Sequence, residues 1–420
     1  MSITQAQVQR EALNRQGNLI RWGQRRYVIY GGPQRAEFES GGEGLVQLAI
    51  ELSSQSKYRI KCFWKPDAMR RHRSELLVKE KLSDAGKTVA DALAGAPFGI
   101  LDDLGPSTPF AVIMKNVNGL NWAALRERGS IDSSYPPADW PSIDIRATWA
   151  YGLATAVLRM ENSGFVHADL SPGNVMVTAH GEMAGDMALV DFDSFVHPAD
   201  PTLDRSCHGT PGFAAPEIWD CKTVRRGSDR LGMAILIQEF LVVGDPSITR
   251  DEAFGWAYDQ DTEILNRAGK PHPLIRKKYP YLADLVRAAI ASPVIENRPS
   301  PDDWRTALRQ IVLDARYGPR LKNAVWIPDG PSRDHIAVDV YPNTSIDLRT
   351  SPFAIRVQVA CDSEGRINCT VHHGADVRVQ FAGNSQWRRM LPSEAITGRP
   401  GMILFDNQGN VTARLEATEV

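Results

Sequence analysis

The sequence carries no surplus of either charge: 48 lysines and arginines stand against 50 aspartates and glutamates, a net charge of −2. Bulk electrostatics therefore recruit neither a polyanion nor an anionic bilayer, and no nucleic-acid or membrane partner is expected. Cysteine is scarce. Its five positions, Cys62, Cys207, Cys221, Cys361 and Cys369, are odd in number and have no paired metal-ligand spacing. That argues against a disulfide framework and a zinc site, and for free thiols in a reducing compartment. Long apolar runs are missing as well. The longest, Met233 to Val243, is interrupted by Gln238 and Glu239, and the opening MSITQAQVQREALNRQG has no apolar core of the signal-peptide kind. A soluble, cytoplasmic protein is expected. Internal repeats and low-complexity tracts are absent too, which leaves ordinary globular domains.

What is present fits that class. Hydrophobic residues make up 43% and charged residues 23% of 420 positions, more chain than one core usually accommodates and enough for two or three packed units. After a short helix within the first twenty residues, RRYVIY, GLVQLAIEL and YRIKCFW read as strands around the glycine-rich ESGGEG. MRRHRSELLVKEKL has helix-forming composition, and FGILDDL and PFAVIM read as two further strands. From about Trp140 the pattern turns helical. IRATWAYGLATAVLRMENSG ends at Gly164 and SDRLGMAILIQEFLVVG at Gly244, while YLADLVRAAIA and PDDWRTALRQIVLDARYG close the region at Gly318 and Pro319. Beyond that point HIAVDVYP, FAIRVQVAC, RINCTVH and DVRVQF alternate apolar and polar residues, and ILFDNQGNVTARLEA reads as a hairpin turning at NQGN. The expectation there is a small all-β domain of ~90 residues, a sandwich or a barrel.

The strongest chemical signal is HADLSPGN, His167 to Asn174, followed by VDFD, Val190 to Asp193. Phosphoryl transfer needs a carboxylate beside the acceptor hydroxyl and hard oxygen ligands for magnesium. Asp169 suits the first task, and Asn174 with Asp191 the second. Each segment alone also suits a turn or a helix cap, where Asp and Asn are favoured, but their occurrence together makes capping a poor explanation. Upstream, Gly42, Gly44 and Val46 in GGEGLV precede Lys61 in YRIKCFW. Glycines let backbone N–H groups approach phosphates, and a lysine on the next strand can pair with them; a plain hairpin turn is the alternative. Lys61 has apolar neighbours Ile60, Cys62 and Phe63, with Lys65 as the competing candidate. A lysine beside a dry pocket needs a carboxylate on the following helix. Glu75, next to Leu76, Leu77 and Val78, is favoured over Glu80.

In these motifs and their order the chain resembles the protein kinases over roughly residues 25 to 315. GTPGFAAPE, Gly209 to Glu217, resembles the end of a kinase activation segment, and Thr210 matches the threonine that contacts the catalytic aspartate in the serine/threonine group. The resemblance implies an α+β, bilobal fold: a β-rich N-lobe with an N-terminal extension over 1–115 and a helical C-lobe over 116–318, with the all-β domain at 325–420. It implies ATP and Mg2+ as cofactors and a protein substrate presenting a Ser or Thr hydroxyl. Asp169 would be the base, with Lys61 and Glu75 as its catalytic companions. Gly42, Gly44, Val46, Lys61, Met114, Lys115 and Val117 would surround the nucleotide, and Asn174 and Asp191 would hold the metal. Glu217 would meet Arg298 of ENRPS, and Asp229 of SDRLGMA would brace the catalytic-loop backbone, with helix capping beside Ser228 as the other use of that aspartate. Some bacterial kinases with a similar HxDLSPGN form are associated with a von Willebrand-type domain protein and a metal-dependent phosphatase, which makes these the expected partners.

Three departures from the family pattern stand out: Ala168 in place of arginine, Ser171 in place of lysine and Asp193 in place of glycine. None removes the base or a metal ligand. The Ser171 form also resembles RIO-type and aminoglycoside phosphotransferase-like loops, so a small-molecule kinase and a nucleotide-binding pseudokinase scaffold stand beside an active serine/threonine kinase. The β-rich tail reads as a regulatory module or a packing appendage. His372 and His373 are adjacent there and would point to opposite faces of a strand, which makes them poor joint metal ligands.

Overall fold

The computed structural model describes residues 3–30, 38–40, 43–80, 82, 92–131, 134–181, 183–197, 209–219, 224–254, 271–292 and 294–317, and from 326 onward the backbone of ten strands. Helix α1 (Gln5–Asn14) begins in a capping box, Thr4 accepting from the Gln7 N–H while the Gln7 side chain accepts from Thr4. The strands β1 (Leu19–Trp22), β2 (Arg25–Tyr30), β3 (Phe38–Ser40), β4 (Gly44–Glu51) and β5 (Lys57–Phe63) follow, then helix α2 (Ala68–Lys79), β6 (Gly99–Asp102) and β7 (Phe110–Lys115). They form one antiparallel sheet in the order β1-β2-β4-β5-β7-β6, with β3 also on β4. Lys61 on central β5 therefore lies opposite Val46 on one side and Val112 on the other.

Alternation along these strands sorts side chains between two faces. Tyr27, Ile29, Leu45, Ala49, Ile60, Cys62 and Ile113 pack with Val8 and Ala12 of α1, whereas Phe63, Phe110 and Val112 form a separate cluster. Each such buried large side chain contributes about 1.5–3 kcal/mol. The second part of the chain is helical: β8 (Leu120–Asn121), α3 (Trp122–Ile131), α4 (Ile143–Asn162), β9 (Val175–Val177), β10 (Met187–Leu189), α5 (Pro216–Trp219), α6 (Arg230–Val242), α7 (Arg250–Phe254), α8 (Pro273–Lys278), α9 (Pro280–Ala291) and α10 (Pro301–Tyr317). Gly164 after α4 and Gly244 after α6 take φ of +79° and +80°, the left-handed stop that only glycine adopts cheaply. Helix α6 is buried all round from Leu231 to Val242. Glu239, which broke the apolar run in the sequence, accepts from Trp122 Nε1 at 2.8 Å and Arg126 at 2.6 Å, so its burial leaves no unmet charge.

Beyond residue 325 the strands are β11 (Trp326–Pro328), β12 (Arg333–Ala337), β13 (Thr344–Arg349), β14 (Arg356–Cys361), β15 (Ile367–His373), β16 (Val377–Phe381), β17 (Arg388–Met390), β18 (Ala395–Gly398), β19 (Gly401–Asn407) and β20 (Val411–Ala417). They make two open sheets, β11-β12-β20-β19-β16-β17 and β13-β14-β15-β18, antiparallel except where β12 runs parallel to β20. The hairpin expected at NQGN is β19–β20, with Asn407 opposite Val411 and the turn itself outside the described residues. By backbone proximity the chain divides into two compact units. One holds Met1–Trp140, Gly152–Ala179 and Met187–Arg305; the other holds Pro141–Tyr151, His180–Asp186 and Thr306–Val420. Every candidate site residue falls in the first. Among the described residues no helix is long and apolar enough to cross a membrane.

Candidate active site

The segment His167–Asn174 is held from beneath by the start of α6. Asp229, buried there, accepts the main-chain N–H of His167 at 2.6 Å and of Ala168 at 3.0 Å. Its side chain makes no cap to its own helix, so of the two uses open to it bracing the loop is the one adopted. Ala168 pays for the tight path with a left-handed φ of +64°, a conformation that costs an L-residue about 1–2 kcal/mol. Burial raises the Asp229 carboxyl to about 6, against an ordinary value of 3.8, although His167 and the two amides pull the other way. The neutral form is thus the one folding favours. Its contribution is fully present below pH ~4 and is lost as pH rises through ~6. Comparing urea unfolding of wild type with Asp229→Asn should show the wild type losing about 2 kcal/mol relative to the variant between pH 4.5 and 7.5. A pH-independent difference would reject this assignment.

Asp169 is fixed from two directions. Asn174 Nδ2 donates to its Oδ2 and to its main-chain oxygen, both at 2.9 Å, while Thr210 donates to Oδ1 through Oγ1 at 2.7 Å and through its N–H at 3.0 Å. With its amide hydrogens engaged this way, Asn174 is left with its amide oxygen as a hard ligand. Asp191 also has a left-handed φ, +59°, and the Phe192 ring that follows is buried 4.9 Å from His167. Its carboxylate stays 46% exposed and lies 2.6 Å from Lys61 Nζ. Magnesium at a nucleotide site takes one or two carboxylates and completes its octahedron with phosphates and water. The half-open Asp191 carboxylate and the Asn174 oxygen fit that requirement.

On the sheet, Gly44 is required by packing: a Cβ there would meet the Cys62 carbonyl oxygen at 2.4 Å. Gly42 lies outside the described residues. Val46 is half-buried opposite Lys61; Met114, half-buried, and Lys115, buried, end β7 opposite Arg59 and Tyr58, and half-buried Val117 follows. Lys61 is nearly buried, and burial pulls its ammonium down. The carboxylates of Asp193 and Asp191 more than offset this, so its pKa stands above the usual lysine value.

The expected pairing of Lys61 with Glu75 is corrected by the structure. Lys61 Nζ lies 2.6 Å from Asp191 and 2.7 Å from Asp193, while Glu75 is half exposed and bonded at 3.0 Å to Arg71, which also reaches Asp102. Glu80, at the C-terminal cap of α2, is exposed as well. The reason is helical phase. Ser74 and Leu77 are buried on α2 and Arg70 joins them by the i, i+4, i+7 step, whereas Glu75 lies roughly 140° away around the axis. Arg70 therefore turns toward the site, reaching Asp193 at 3.5 Å and Glu43 beside β4. Asp193 and Arg70 are the residues that sequence reasoning missed. The signal was an acid where the family has glycine, together with an arginine in phase with Ser74 and Leu77. Farther out, Glu217 accepts both Arg298 nitrogens, at 2.6 and 3.0 Å, as the motif order implied.

No family model matches the chain. It is 25% identical over 260 residues to a Corynebacterium glutamicum protein described as a probable serine/threonine-protein kinase, PknB, covering 60% of this chain and 36% of that protein. It is 26% identical to the serine/threonine-protein kinase ppk34 of Schizosaccharomyces pombe, over 43% of this chain and 56% of the relative, and 30% identical to an Aurora kinase of Patiria pectinifera, over 24% of each. A crystal structure of a kinase domain superposes on 72% of this chain and 97% of its own at 13% identity and a TM-score of 0.46. For the first three curated relatives the chain spans 24%, 39% and 36% of their length. All three of these curated relatives are protein kinases, and it is the protein kinases that the chain is similar to.

Proposed function

We propose that the chain is a protein kinase that transfers the γ-phosphoryl group of Mg-ATP to Ser or Thr hydroxyls. The observation that carries this reading is Asp169, held by Asn174 and Thr210 in the same unit as the Lys61–Asp191 pair. Asp169 accepts the hydroxyl proton, and Thr210 and Asn174 keep its carboxylate oriented for that task. Lys61 holds phosphate oxygens. Asn174 and Asp191 would hold magnesium, which supplies neutralisation of phosphate charge when bound. The curated relatives, kinases of serine and threonine among them, support the reading.

The test is mass spectrometry of the purified protein and a generic acceptor protein before and after Mg-ATP, beside Asp169→Ala. Phosphoserine or phosphothreonine made by wild type and lost in the variant supports the proposal. ATP consumption that the variant retains in full, or phosphate appearing only on small molecules, overturns it.

Ala168 makes a further prediction. Alanine cannot receive an activation-segment phosphate through paired hydrogen bonds as an arginine does. Of the hydroxyls that could carry such a phosphate, Ser194 is described, while Thr202 and Ser206 lie outside the described residues; of the two arginines that could substitute, Arg205 lies outside them and Arg225 is already 2.8 Å from Glu296. Dephosphorylated protein and protein preincubated with Mg-ATP should therefore differ less than about threefold in initial rate, ~0.7 kcal/mol in barrier terms. A gain of about a hundredfold, ~2.7 kcal/mol, would show that another basic residue receives the phosphate.

A further inference from the structure

The acid that the site lysine requires sits two residues beyond the metal-ligand candidate Asp191 and not on helix α2. We infer that Asp193 is a positioning residue that joins Lys61 to α2 through Arg70, an inference resting on the kinase reading above. Lys61 Nζ is 2.7 Å and Arg70 Nη1 is 3.5 Å from the same Asp193 oxygen, Oδ2, and the Asp193 side chain is only 16% exposed. An acid so enclosed is stable between two cations and costly beside none. Arg70 is itself held: its guanidinium lies 5.0 Å from the Phe63 ring centroid and bonds Glu43 at the foot of the glycine-rich turn.

The connected groups therefore run from Glu43 before β4, through Arg70 on α2 and Asp193 in the metal loop, to Lys61 on β5 and Asp191. In the usual kinase arrangement the helix brings a glutamate to the strand lysine, so that helix position is sensed by β5. Here the charges have changed places. The helix brings an arginine, the loop brings the acid, and the position of α2 is sensed by the metal-binding loop directly. The glycine normally found at position 193 could make neither contact, and the contacts with Lys61 and Arg70 account for the departure at Asp193.

Returning the acid to the helix tests this. Asp193→Gly and Arg70→Glu should each lower kcat/KM for Mg-ATP about tenfold or more, and Asp193→Asn, which keeps the volume, should behave like Asp193→Gly. The double variant Arg70→Glu with Asp193→Gly should recover to within about threefold of wild type, because Lys61 regains one carboxylate partner. A purely space-filling role for Asp193 predicts no such recovery. Melting of the nucleotide-free protein reads the same relay without catalysis. Arg70→Glu, which sets a third carboxylate against Glu43 and Asp193, should fall by about 3 °C or more, and the double variant should regain most of that. A single variant that cannot fold beside a double variant that can counts for the relay. Asp193→Gly and Asp193→Asn within about twofold of wild type, or a double variant no better than its worse parent in both rate and melting, overturn it. Wild type that transfers no phosphoryl group would sink the kinase reading, while the melting pattern would still decide the relay.

Discussion

Asp191→Asn is expected to lower phosphoryl transfer about a hundredfold or more, ~2.7 kcal/mol or above, with the fold intact. The substitution keeps the shape of the side chain and an oxygen for Lys61 to bond, but removes the charge that, on the proposed function, would hold magnesium against phosphates. Stability should hold because the carboxylate is 46% exposed and no buried partner depends on it alone: Lys61 keeps Asp193 at 2.7 Å. Lys61→Ala should match it in rate and also lower the melting temperature, since Asp193 would be left with the more distant Arg70, at 3.5 Å, as its cationic contact. Initial rates with one acceptor protein, together with circular-dichroism melts, separate the two effects. Near-normal turnover in Asp191→Asn would remove this residue from the metal site.

Arg298→Ala is expected to destabilise the protein by about 3–5 kcal/mol without touching a residue of the chemistry. The Arg298 guanidinium is fully buried and grips both Glu217 oxygens, and Glu217 is itself only 8% exposed. Removing the cation leaves an enclosed carboxylate without its partner. The main-chain oxygen of Arg298 also accepts from Arg230 Nη1, which in turn pairs with buried Glu161, so the loss reaches the base of α6. Urea titration measures it. Replacing both partners with apolar residues, Glu217→Leu with Arg298→Met, should cost less than Arg298→Ala, because no charge is left unmatched. A loss under about 1 kcal/mol from Arg298→Ala would mean that water reaches Glu217 readily.

The legible parts of this site are those whose partners lie close in sequence or in motifs of set order. Asp169, Asn174 and Asp191 stand out because phosphoryl transfer restricts the residue types at these positions, and Thr210, Glu217, Arg298 and Asp229 follow from the order of motifs. In the structure Asn174 and Thr210 bond Asp169, Arg298 bonds Glu217, and Asp229 holds the His167 main chain. Glu75 failed for a reason of phase. Its apolar neighbours suggested an inward face, but burial on α2 falls on Ser74, Leu76 and Leu77, and the carboxylate comes out on the side of Arg71. Each step along a helix turns the side chain by about 100°, so the choice of position decides whether an acid meets the site or water. Asp193 was visible as an oddity without a role, since nothing local says which cation it meets: Lys61 and Arg70 are more than a hundred residues away.

By itself, then, the sequence determined the alternation that builds the β-rich part, the glycine stops that end α4 and α6, and the residue types able to do the chemistry. These depend on local backbone preference and on chemical capacity, both of which are properties of short segments. Only the tertiary structure decided which acid pairs with Lys61, that Arg70 faces the site, and that Ala168 is bent into a left-handed turn with its N–H bonded to Asp229. Those outcomes depend on where separate elements come to rest against one another. An ion pair is settled by distances of a few ångströms across the fold, and no single segment carries that information.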